Sequence, residues 1–327
     1  MRDILSGDDP QVSAVISVIT EVQPDVLLLQ GIDYDLNGAT VSALIDALDD
    51  AGQSFDFIHA GRPNSGVRTG LDHDGDGTTD SARDAQGFGR FPGEGGMALL
   101  SRFPIDTAGV KDFSALLWAD LPGGELPVKD GAPFPSAELY TTQRLSSVAH
   151  WDVPVLVAGR PIHILAFHAT PPVFDGPEDM NGLRNRDELR LWMRYLDGAL
   201  GEPAPDGPFV VLGDANLDPF DGDGLGTAMQ EFMADPRLRA LYPESDGGRL
   251  APQSGANAGH NGDPAQDTVA WADNGPGNMR VDYALPSVEL TVTGTGVYWP
   301  APGDPGAEVA AAASRHRLVW LDVMLER

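Results

Sequence analysis

Short apolar runs that predict β-strands alternate along this chain with segments of helical periodicity. Asp9-Pro10 predicts a helix start, because proline fits the first helical position and apolar residues follow at helical spacing up to Ile19. Two further helices are predicted at 40–51 and 183–200. Predicted strands follow Pro24, cover 55–58, 153–158 and 162–168, and begin again at Phe209, Val281, Leu290 and Leu318. This order of hairpins and crossovers predicts an α+β fold with two packed, mainly antiparallel sheets flanked by helices.

The strand that begins at Phe209 ends in Gly213-Asp214-Ala215-Asn216. Side chains alternate along a strand, so we expect the Asp214 carboxylate and the Asn216 carboxamide on the same side of its exit. An Asp that polarises a water, beside an Asn that supports a metal or an oxyanion, suits phosphoester hydrolysis. The motif alone is moderately specific, since Gly-Asp also opens ordinary turns and Asp214 could simply cap one.

Motifs in other segments match those of one known family in order and spacing. They are PDVLLLQ at 24–30, GGMALLSRFPI at 95–105, IHILAFH at 162–168, RVDYAL at 280–285 and SRHRLV at 314–319. With the Gly-Asp-x-Asn strand, they make the chain resemble the endonuclease/exonuclease/phosphatase superfamily, whose fold is that of pancreatic deoxyribonuclease. The resemblance runs from about residue 10 to the C-terminus and implies a four-layer α/β sandwich. No long Pro/Ser-rich linker or internal repeat divides the sequence, so we expect a single domain over residues 1–327.

The N-terminus departs from the family. Members begin with a buried strand whose Asn helps to bind the metal, whereas this sequence opens directly at Met1-Arg2-Asp3. We expect that the first strand and any secretion signal are missing from this sequence, through an internal start or trimming. The alternative is a subfamily that lacks the strand.

The resemblance also implies roles for individual residues. Asp214 orients or deprotonates the attacking water, and Asn216 supports the metal or the transition-state oxygens. His316 contacts the scissile phosphate and is oriented by Asp282. A carboxylate beside an imidazole raises the pKa of the histidine and fixes its tautomer, which suits a cationic phosphate clamp.

A second histidine, His168, ends the strand at 162–168. It matches the residue that phosphodiester-cleaving family members use as a general acid toward the leaving group. Whether His168 or His316 serves the leaving group stays open. We hypothesise that Glu94, just before the strand motif at 95–105, orients His168.

Three positions depart from the family pattern. Gly31 replaces the metal-binding Glu, Ala166 replaces the Asn before the first histidine, and Arg315 replaces a metal-binding Asp. If the strand after Pro24 continued, Asp33 and Asp35 would share the face of Gly31, and either could replace the lost carboxylate. The competing reading is a degenerate, inactive site.

Three arginines are candidates for binding substrate phosphate. Arg315 could supply with its guanidinium fork the positive charge that a metal supplies elsewhere. Arg184 or Arg186, near the start of the long helix, could face an incoming phosphate. Surface ion pairs with the acidic residues 187–188 are the alternative role for the helix arginines.

Composition limits the partners and compartment. The net charge of −28 opposes binding of a polyanion, so it favours a small or lipid-derived phosphoester over nucleic acid. The alternative is an acidic solubility surface that has no bearing on the substrate. The chain contains no Cys, which excludes disulfides and thiolate metal sites. No apolar stretch approaches the length of a membrane span.

An Asp-rich loop lies within the Gly-rich insertion at 61–96. Asp72, Asp74, Asp76, Thr78 and Asp80 occupy alternating positions around Gly75 and Gly77, in the pattern of a calcium-binding loop. The closing Glu of a full EF-hand is absent. We expect structural Ca²⁺ there, of the kind seen in exported proteins, with a solvated acidic turn as the alternative.

These observations predict a secreted or periplasmic, otherwise cytoplasmic, metal-dependent phosphoester hydrolase. Mg²⁺ or Mn²⁺ would bind at Asp33 or Asp35 with Asp214 and Asn216, and phosphodiesterase or phosphatase activity outranks nuclease activity. The alternative is a calcium-stabilised binding protein that kept the fold and lost catalysis. The sequence does not specify the substrate or the oligomeric state.

Overall fold

A computed structural model of the chain describes residues 2–272 and 274–325. The helices are α1 (Arg2–Ser6), α2 (Pro10–Val22), α3 (Ala39–Asp50), α4 (Met180–Leu196), α5 (Gly226–Met233), α6 (Asp246–Arg249) and α7 (Ala307–Ala313). The strands are β1 (Val26–Ile32), β2 (Phe57–His59), β3 (Gly96–Ser101), β4 (Lys111–Asp112), β5 (Val128–Lys129), β6 (Ala132–Pro133), β7 (His150–Val157), β8 (Arg160–His168), β9 (Phe209–Asp214), β10 (Val269–Ala270), β11 (Asn278–Met279), β12 (Asp282–Pro286), β13 (Thr291–Tyr298) and β14 (Leu318–Met324). The mixed α+β architecture predicted from the sequence is confirmed.

Two sheets dominate the fold. The larger has the strand order β12-β9-β8-β7-β4 and is antiparallel except for β8 and β9, which run parallel. A parallel pair needs a crossover connection, which α4 supplies. The smaller has the order β1-β3-β2 and is wholly antiparallel. The antiparallel pair β13–β14 packs on the same side as the smaller sheet, through Leu321 and Val323.

Apolar side chains fill three interfaces between four layers. Leu99 of β3 and Trp151 of β7 are buried between the two sheets. Trp192 of α4 packs with Phe167 of β8 on the outer face of the larger sheet, where α5 also lies. Helices α2 and α3 cover the outer face of the smaller sheet, where Leu48 is fully buried. This is the predicted arrangement of two packed sheets with helices outside.

The ends of two helices follow local sequence signals. The Asp9 carboxylate accepts the Val12 amide at 2.9 Å, and Pro10 occupies the first turn of α2, so that predicted helix start is confirmed. Helix α4 begins at Met180, earlier than predicted, and ends at Leu196 before Gly198, whose φ of +70° cannot continue a helix.

The excursion between β2 and β3 folds back on itself. Bridges join Ser65 to Gly87 and Arg68 to Ala85. Gly66 has a φ of +72°, and a Cβ there would lie 1.9 Å from the Phe91 carbonyl oxygen, so only glycine fits. Within residues 2–272 and 274–325, no helix combines the length and apolar character that crossing a membrane requires.

Candidate active site

Three of the predicted site residues form a row across neighbouring strands. In the register of the larger sheet, His168 at the end of β8 lies opposite Asp214 at the end of β9. Asp214 in turn lies opposite Asp282 at the start of β12. The row arises because β8 and β9 are parallel and end together, whereas β12 runs the other way and begins there. The backbone ladder thus fixes the spacing of these side chains.

His316, just before β14, completes the row from a separate segment. Its Nδ1 lies 3.0 and 3.1 Å from the two Asp282 carboxylate oxygens, and a carboxylate only accepts, so Nδ1 carries the proton. The Thr268 hydroxyl donates to the Asp282 carboxylate at 2.9 Å and accepts the Asp282 amide, which fixes that carboxylate. The Trp271 ring stands edge-on to the imidazole, 5.8 Å between centroids. Nε2 is left as the second imidazole nitrogen for a ligand.

The charges of these groups shift one another's pKa. Burial alone would lower the pKa of His316, but the Asp282 and Asp214 carboxylates outweigh it and raise the pKa to about 9. Burial and the Asp282 charge raise the pKa of Asp214 to about 8, against the opposing effect of His316. Ligand atoms of Asp214, Asp282 and His316 all lie within 4.8 Å of one another. The cluster therefore holds excess negative charge that a cation or a proton must balance.

His168 differs from His316 in protonation. Burial, followed by the charge of His316, lowers the pKa of His168 to about 4, so its imidazole is neutral near pH 7. Its Nε2 lies 3.5 Å from Asp214 Oδ2. Its Nδ1 is buried and has no hydrogen-bond partner among the described residues. The hypothesis that Glu94 orients it is wrong, because the Glu94 carboxylate accepts the Arg90 amide at 2.5 Å instead.

Asn216 shapes the loop that follows β9. The strand ends at Asp214 and Asn216 has a φ of +49°, so the strand alternation expected from the sequence does not extend to it. Its amide donates to the Asp214 carboxylate at 2.7 Å, and its Nδ2 donates to the Ala169 carbonyl at 3.0 Å. Asn216 therefore holds Asp214 and ties together the loops that follow β8 and β9.

Buried polar side chains of helix α4 form hydrogen bonds with the loops that follow β8 and β9. Nδ2 of Asn185 donates to the carbonyls of Thr170 and Ala215, each at 2.7 Å. The Glu188 carboxylate accepts the Thr170 amide at 2.7 Å and the Ser147 amide at 2.6 Å. Sequence reasoning missed both residues; an Asn and a Glu three positions apart face the same side of a helix, and that spacing was the available signal.

Comparison with known protein families identifies the family of this chain. A sequence model of the "Endonuclease/Exonuclease/phosphatase family" matches residues 4–316. The chain belongs to the endonuclease/exonuclease/phosphatase family. No curated protein sequence matches it.

Solved structures of similar fold carry the same family name. An endonuclease/exonuclease/phosphatase from Beutenbergia cavernae matches with a TM-score of 0.56 at 19% identity, over 97% of this chain and 66% of that one. A family protein from Leptotrichia buccalis matches with a TM-score of 0.52 at 15% identity, over 96% and 93%. One from Bacteroides vulgatus matches with a TM-score of 0.50 at 14% identity, over 97% and 91%. At these identities the likeness concerns the fold. The chain spans less than two thirds of the Beutenbergia protein.

The substitutes proposed for the family's metal-binding Glu do not lie on a continued strand. A bulge interrupts β1 at Gly31, whose φ is +72°, and the strand ends at Ile32. The Asp35 carboxylate accepts the amides of Asn37, Ala39 and Thr40 at the start of α3. These bonds, that from Thr40 most of all, lower its pKa to about 2. The expectation that Asp35 shares a strand face with Gly31 is therefore wrong, because Asp35 caps a helix.

Asp33 also lies beyond the end of β1. Its Oδ1 accepts the Gly95 amide at 3.1 Å and so joins the ends of the loops that flank the smaller sheet. The strand-face argument fails for Asp33 as it does for Asp35. Its second carboxylate oxygen makes no hydrogen bond to the described residues.

The three arginines proposed to bind phosphate differ in accessibility. Arg184 is only 6% exposed, and its guanidinium donates to the carbonyls of residues 86 and 144–146. The expectation that it faces substrate or the surface is wrong, because these bonds lock it inside the protein. Arg186 is also buried and pairs with Asp187 at 2.9 Å and with Glu125 at 2.8 Å. Arg315 is exposed, and its guanidinium makes no ion pair within the described residues.

The Asp-rich loop gathers a different set of carboxylates from the one predicted. Ligand atoms of Asp72, Asp74 and Asp84 lie within 4.8 Å of one another. Asp84 is buried and accepts the amides of His73 and Ser81. The Asp76 carboxylate accepts hydrogen bonds from the amide and the hydroxyl of Thr78. Asp80 is not part of the cluster. Folding of the excursion thus brings in Asp84, which the spacing rule did not select.

Proposed function

We propose that this chain is a divalent-metal-dependent hydrolase of small or lipid-derived phosphoesters. The observation that supports it is the cluster of Asp214, Asp282 and His316, with ligand atoms within 4.8 Å of one another. Divalent Mg²⁺ or Mn²⁺ prefers carboxylate oxygens, and Asp214 and Asp282 are the residues that would hold it. When bound, such an ion neutralises charge on the phosphate. Asn216 and Asp33 remain proposed as additional metal contacts.

The chain's own residues supply the remaining chemistry. Asp214 has a raised pKa in the metal-free protein, and the positive charge of a bound divalent ion would favour its ionised form, which can orient and deprotonate a water. His316 is protonated near neutral pH and donates from Nε2 to a phosphate or leaving-group oxygen. Its pKa makes it the better proton donor of the two histidines, because His168 is neutral. Arg315 adds an exposed positive charge next to His316.

The alternative of a degenerate, calcium-stabilised binding protein has less support. Gly31 and Arg315 favour it, since both replace metal-binding carboxylates of the family. However, a binding protein has no need to keep Asp214 and Asp282 adjacent at an unfavourable electrostatic cost. That retained cost supports an active site.

Hydrolysis of generic phosphate mono- and diesters tests the function. We expect turnover with added Mg²⁺ or Mn²⁺, and loss of about 10²–10⁴-fold in kcat for Asp214→Asn. The matched control is Asp223→Asn, which removes an exposed carboxylate on the loop that follows β9. Faster hydrolysis of the diester would indicate a phosphodiesterase, and faster hydrolysis of the monoester would indicate a phosphatase. Absence of turnover in both the wild type and Asp214→Asn would overturn the proposal.

We further propose that Asp72, Asp74 and Asp84 bind a structural Ca²⁺ and that the protein is exported, since extracellular calcium concentrations load weak sites. The ion would relieve repulsion among the carboxylates, which contributes after burial to a raised pKa of Asp74. Calorimetry after chelator treatment should show Ca²⁺ uptake that Asp74→Asn weakens. No uptake in the wild type would leave an ordinary acidic turn.

A further inference from the structure

The exposed phenylalanines of this chain lie on the loops around the active site. Within the described residues, the phenylalanines that are markedly exposed are Phe88 (66%), Phe91 (46%), Phe174 (73%) and Phe220 (57%). Phe174 follows β8 and His168, and Phe220 follows β9 and Asp214. Phe88 and Phe91 lie on the excursion between β2 and β3. We call these four side chains the aromatic rim.

Contacts between the loops bring the segments that carry Phe88, Phe174 and Phe220 next to one another. Arg83 on the excursion donates from Nη1 to the Phe174 carbonyl at 3.3 Å. The Gly89 amide donates to the Ala82 carbonyl, so Phe88 lies beside the turn that carries Arg83. The loops after β8 and β9 also touch, because a Cβ on Gly224 would lie 2.8 Å from the Pro172 ring. An apolar surface assembled from adjoining loops beside a site indicates an interaction surface.

Phe174 is held in an unusual conformation. Its φ is +72°, which is rare for a bulky side chain, and its ring is largely in solvent. Nearby bonds hold that loop: Asn181 donates from Nδ2 to the Val173 carbonyl at 2.7 Å and from its amide to the Asp175 carboxylate at 2.5 Å. A strained backbone that presents an aromatic ring to water calls for a functional reason.

The charges near the aromatic rim select the partner. The loops at 171–179 and 215–225 contain acidic residues and no Lys or Arg. The excursion at 61–96 carries four Arg and six Asp or Glu. Two of these arginines lie near carboxylates, Arg83 3.7 Å from Asp74 and Arg90 3.9 Å from Glu94. Lys129 lies 3.4 Å from Glu178 in the loop at 171–179, so acidic groups remain in excess on all three loops. A surface of this kind repels anionic lipid and nucleic acid, and the whole chain carries −28. Ammonium headgroups, in contrast, are attracted by carboxylates and by aromatic faces.

We propose that the aromatic rim docks on a zwitterionic lipid surface of the phosphocholine or phosphoethanolamine type. The phenyl rings enter the interface, the acidic loops meet the outward ammonium groups, and the active site faces the headgroup phosphates. Only the last point, that the active site faces the headgroup phosphates, depends on the proposed function. Single-stranded nucleic acid, which also stacks on aromatic rings, is the competing partner that the charge opposes.

Vesicle co-sedimentation tests the docking without any turnover. We expect the wild type to sediment with phosphatidylcholine vesicles, and the Phe174→Ser/Phe220→Ser variant to partition about tenfold or more weakly. Replacing a third of the lipid with phosphatidylglycerol should weaken binding of the wild type several-fold. The matched control is Met324→Ser, an exposed apolar residue at the end of β14 remote from His316, which should bind as the wild type does. Thermal melting of each variant checks the fold.

Several results would overturn the docking surface. They are absence of wild-type binding, equal binding by the double Phe variant, tighter binding to phosphatidylglycerol, or Phe-dependent binding of a single-stranded oligonucleotide in place of vesicles. Wild-type hydrolysis of a water-soluble diester is measured in parallel. Hydrolysis without vesicle binding would overturn the docking surface and keep the proposed function. Phe-dependent vesicle binding without hydrolysis would keep the docking surface and overturn the proposed function.

Discussion

His316 donates its Nδ1 proton to Asp282 at 3.0 Å, and the same nitrogen lies 3.7 Å from Asp214. One imidazole thus lies beside two carboxylates that the sheet register places opposite each other. The proton on His316 offsets part of their mutual repulsion. The charge state of this histidine therefore depends on both strands.

The first prediction concerns pH. His316 has a pKa of about 9 in the folded protein, above the value near 6.5 expected for an unfolded chain. The folded state holds the proton more tightly, so the stabilisation is complete below about pH 6.5 and is lost as pH rises through about 9. Activity that needs this cation should fall over the same alkaline range.

Asp282→Asn should move the His316 titration to lower pH, because a carboxamide carries no charge to stabilise the imidazolium. NMR titration of the imidazole in chelator-treated protein measures the shift, and Asp223→Asn serves as the control. An unchanged midpoint in Asp282→Asn would contradict the pairing.

The second prediction concerns Asn185. Its Nδ2 bonds two carbonyls on the loops after β8 and β9, and Asn185 is fully buried. Asn185→Ala should lower the free energy of unfolding by about 2–4 kcal/mol, because two buried carbonyls lose their partners. It should also lower kcat more than it raises KM, since the loops carry His168 and Asp214.

Gln53→Ala is the matched control, because Gln53 is buried and donates to the Pro24 carbonyl away from the site. It should lose stability and keep kcat. Denaturant unfolding and steady-state kinetics measure the two effects; equal kcat losses in both variants would mean that Asn185 acts through stability alone.

The third prediction concerns Gly213 in β9. A Cβ there would lie 2.2 Å from the Phe167 carbonyl oxygen on β8. Gly213→Ala should therefore push the two strands apart, destabilise the protein by about 1–3 kcal/mol and reduce activity. At Gly207, just before β9, a Cβ would find its nearest neighbour at 3.9 Å, so Gly207→Ala should melt like the wild type. Thermal denaturation of the two variants tests whether only Gly213→Ala is destabilised.

The fourth prediction concerns Arg315, the exposed cation next to His316. Arg315→Ala should raise KM for an anionic ester by about tenfold or less, with an effect that shrinks at high salt. Arg102→Ala, which removes an exposed arginine paired with Asp25, should leave KM unchanged. If Arg315→Ala instead raised kcat and tightened metal binding, the arginine would obstruct a cation.

The sequence was sufficient for features that follow from strand order. Asp214, His168 and Asp282 lie at strand ends, and short apolar runs predicted those strands. His316 needed the family motif, because its contact with Asp282 joins residues 34 apart in sequence. Such a contact depends on how β14 packs, which a local pattern does not encode.

Other expectations failed because the sequence alone does not distinguish buried polar side chains from exposed ones. Surface ion pairs with residues 187–188 were the alternative role for Arg184, and Asn185 drew no prediction. Yet Arg184, Asn185 and Glu188 are all buried, because carbonyls and amides of the neighbouring loops need partners. Asp35 read as a metal ligand, and it caps a helix because β1 bulges at Gly31 and ends. The alternative that Gly213-Asp214 opens an ordinary turn does not apply, since Gly213 lies in β9 and permits close approach to β8.

Helix α4 both connects β8 to β9 and bonds the loops at their ends. Adding or removing one residue within α4 ahead of Asn185 would turn that side chain by about 100° around the axis and away from both carbonyls. Residues 171–179, between Thr170 and α4, lie outside the helix and do not set the rotational phase of Asn185. Insertions and deletions accumulated in evolution should therefore concentrate before Met180, while the distance from Asn185 to Glu188 stays constant.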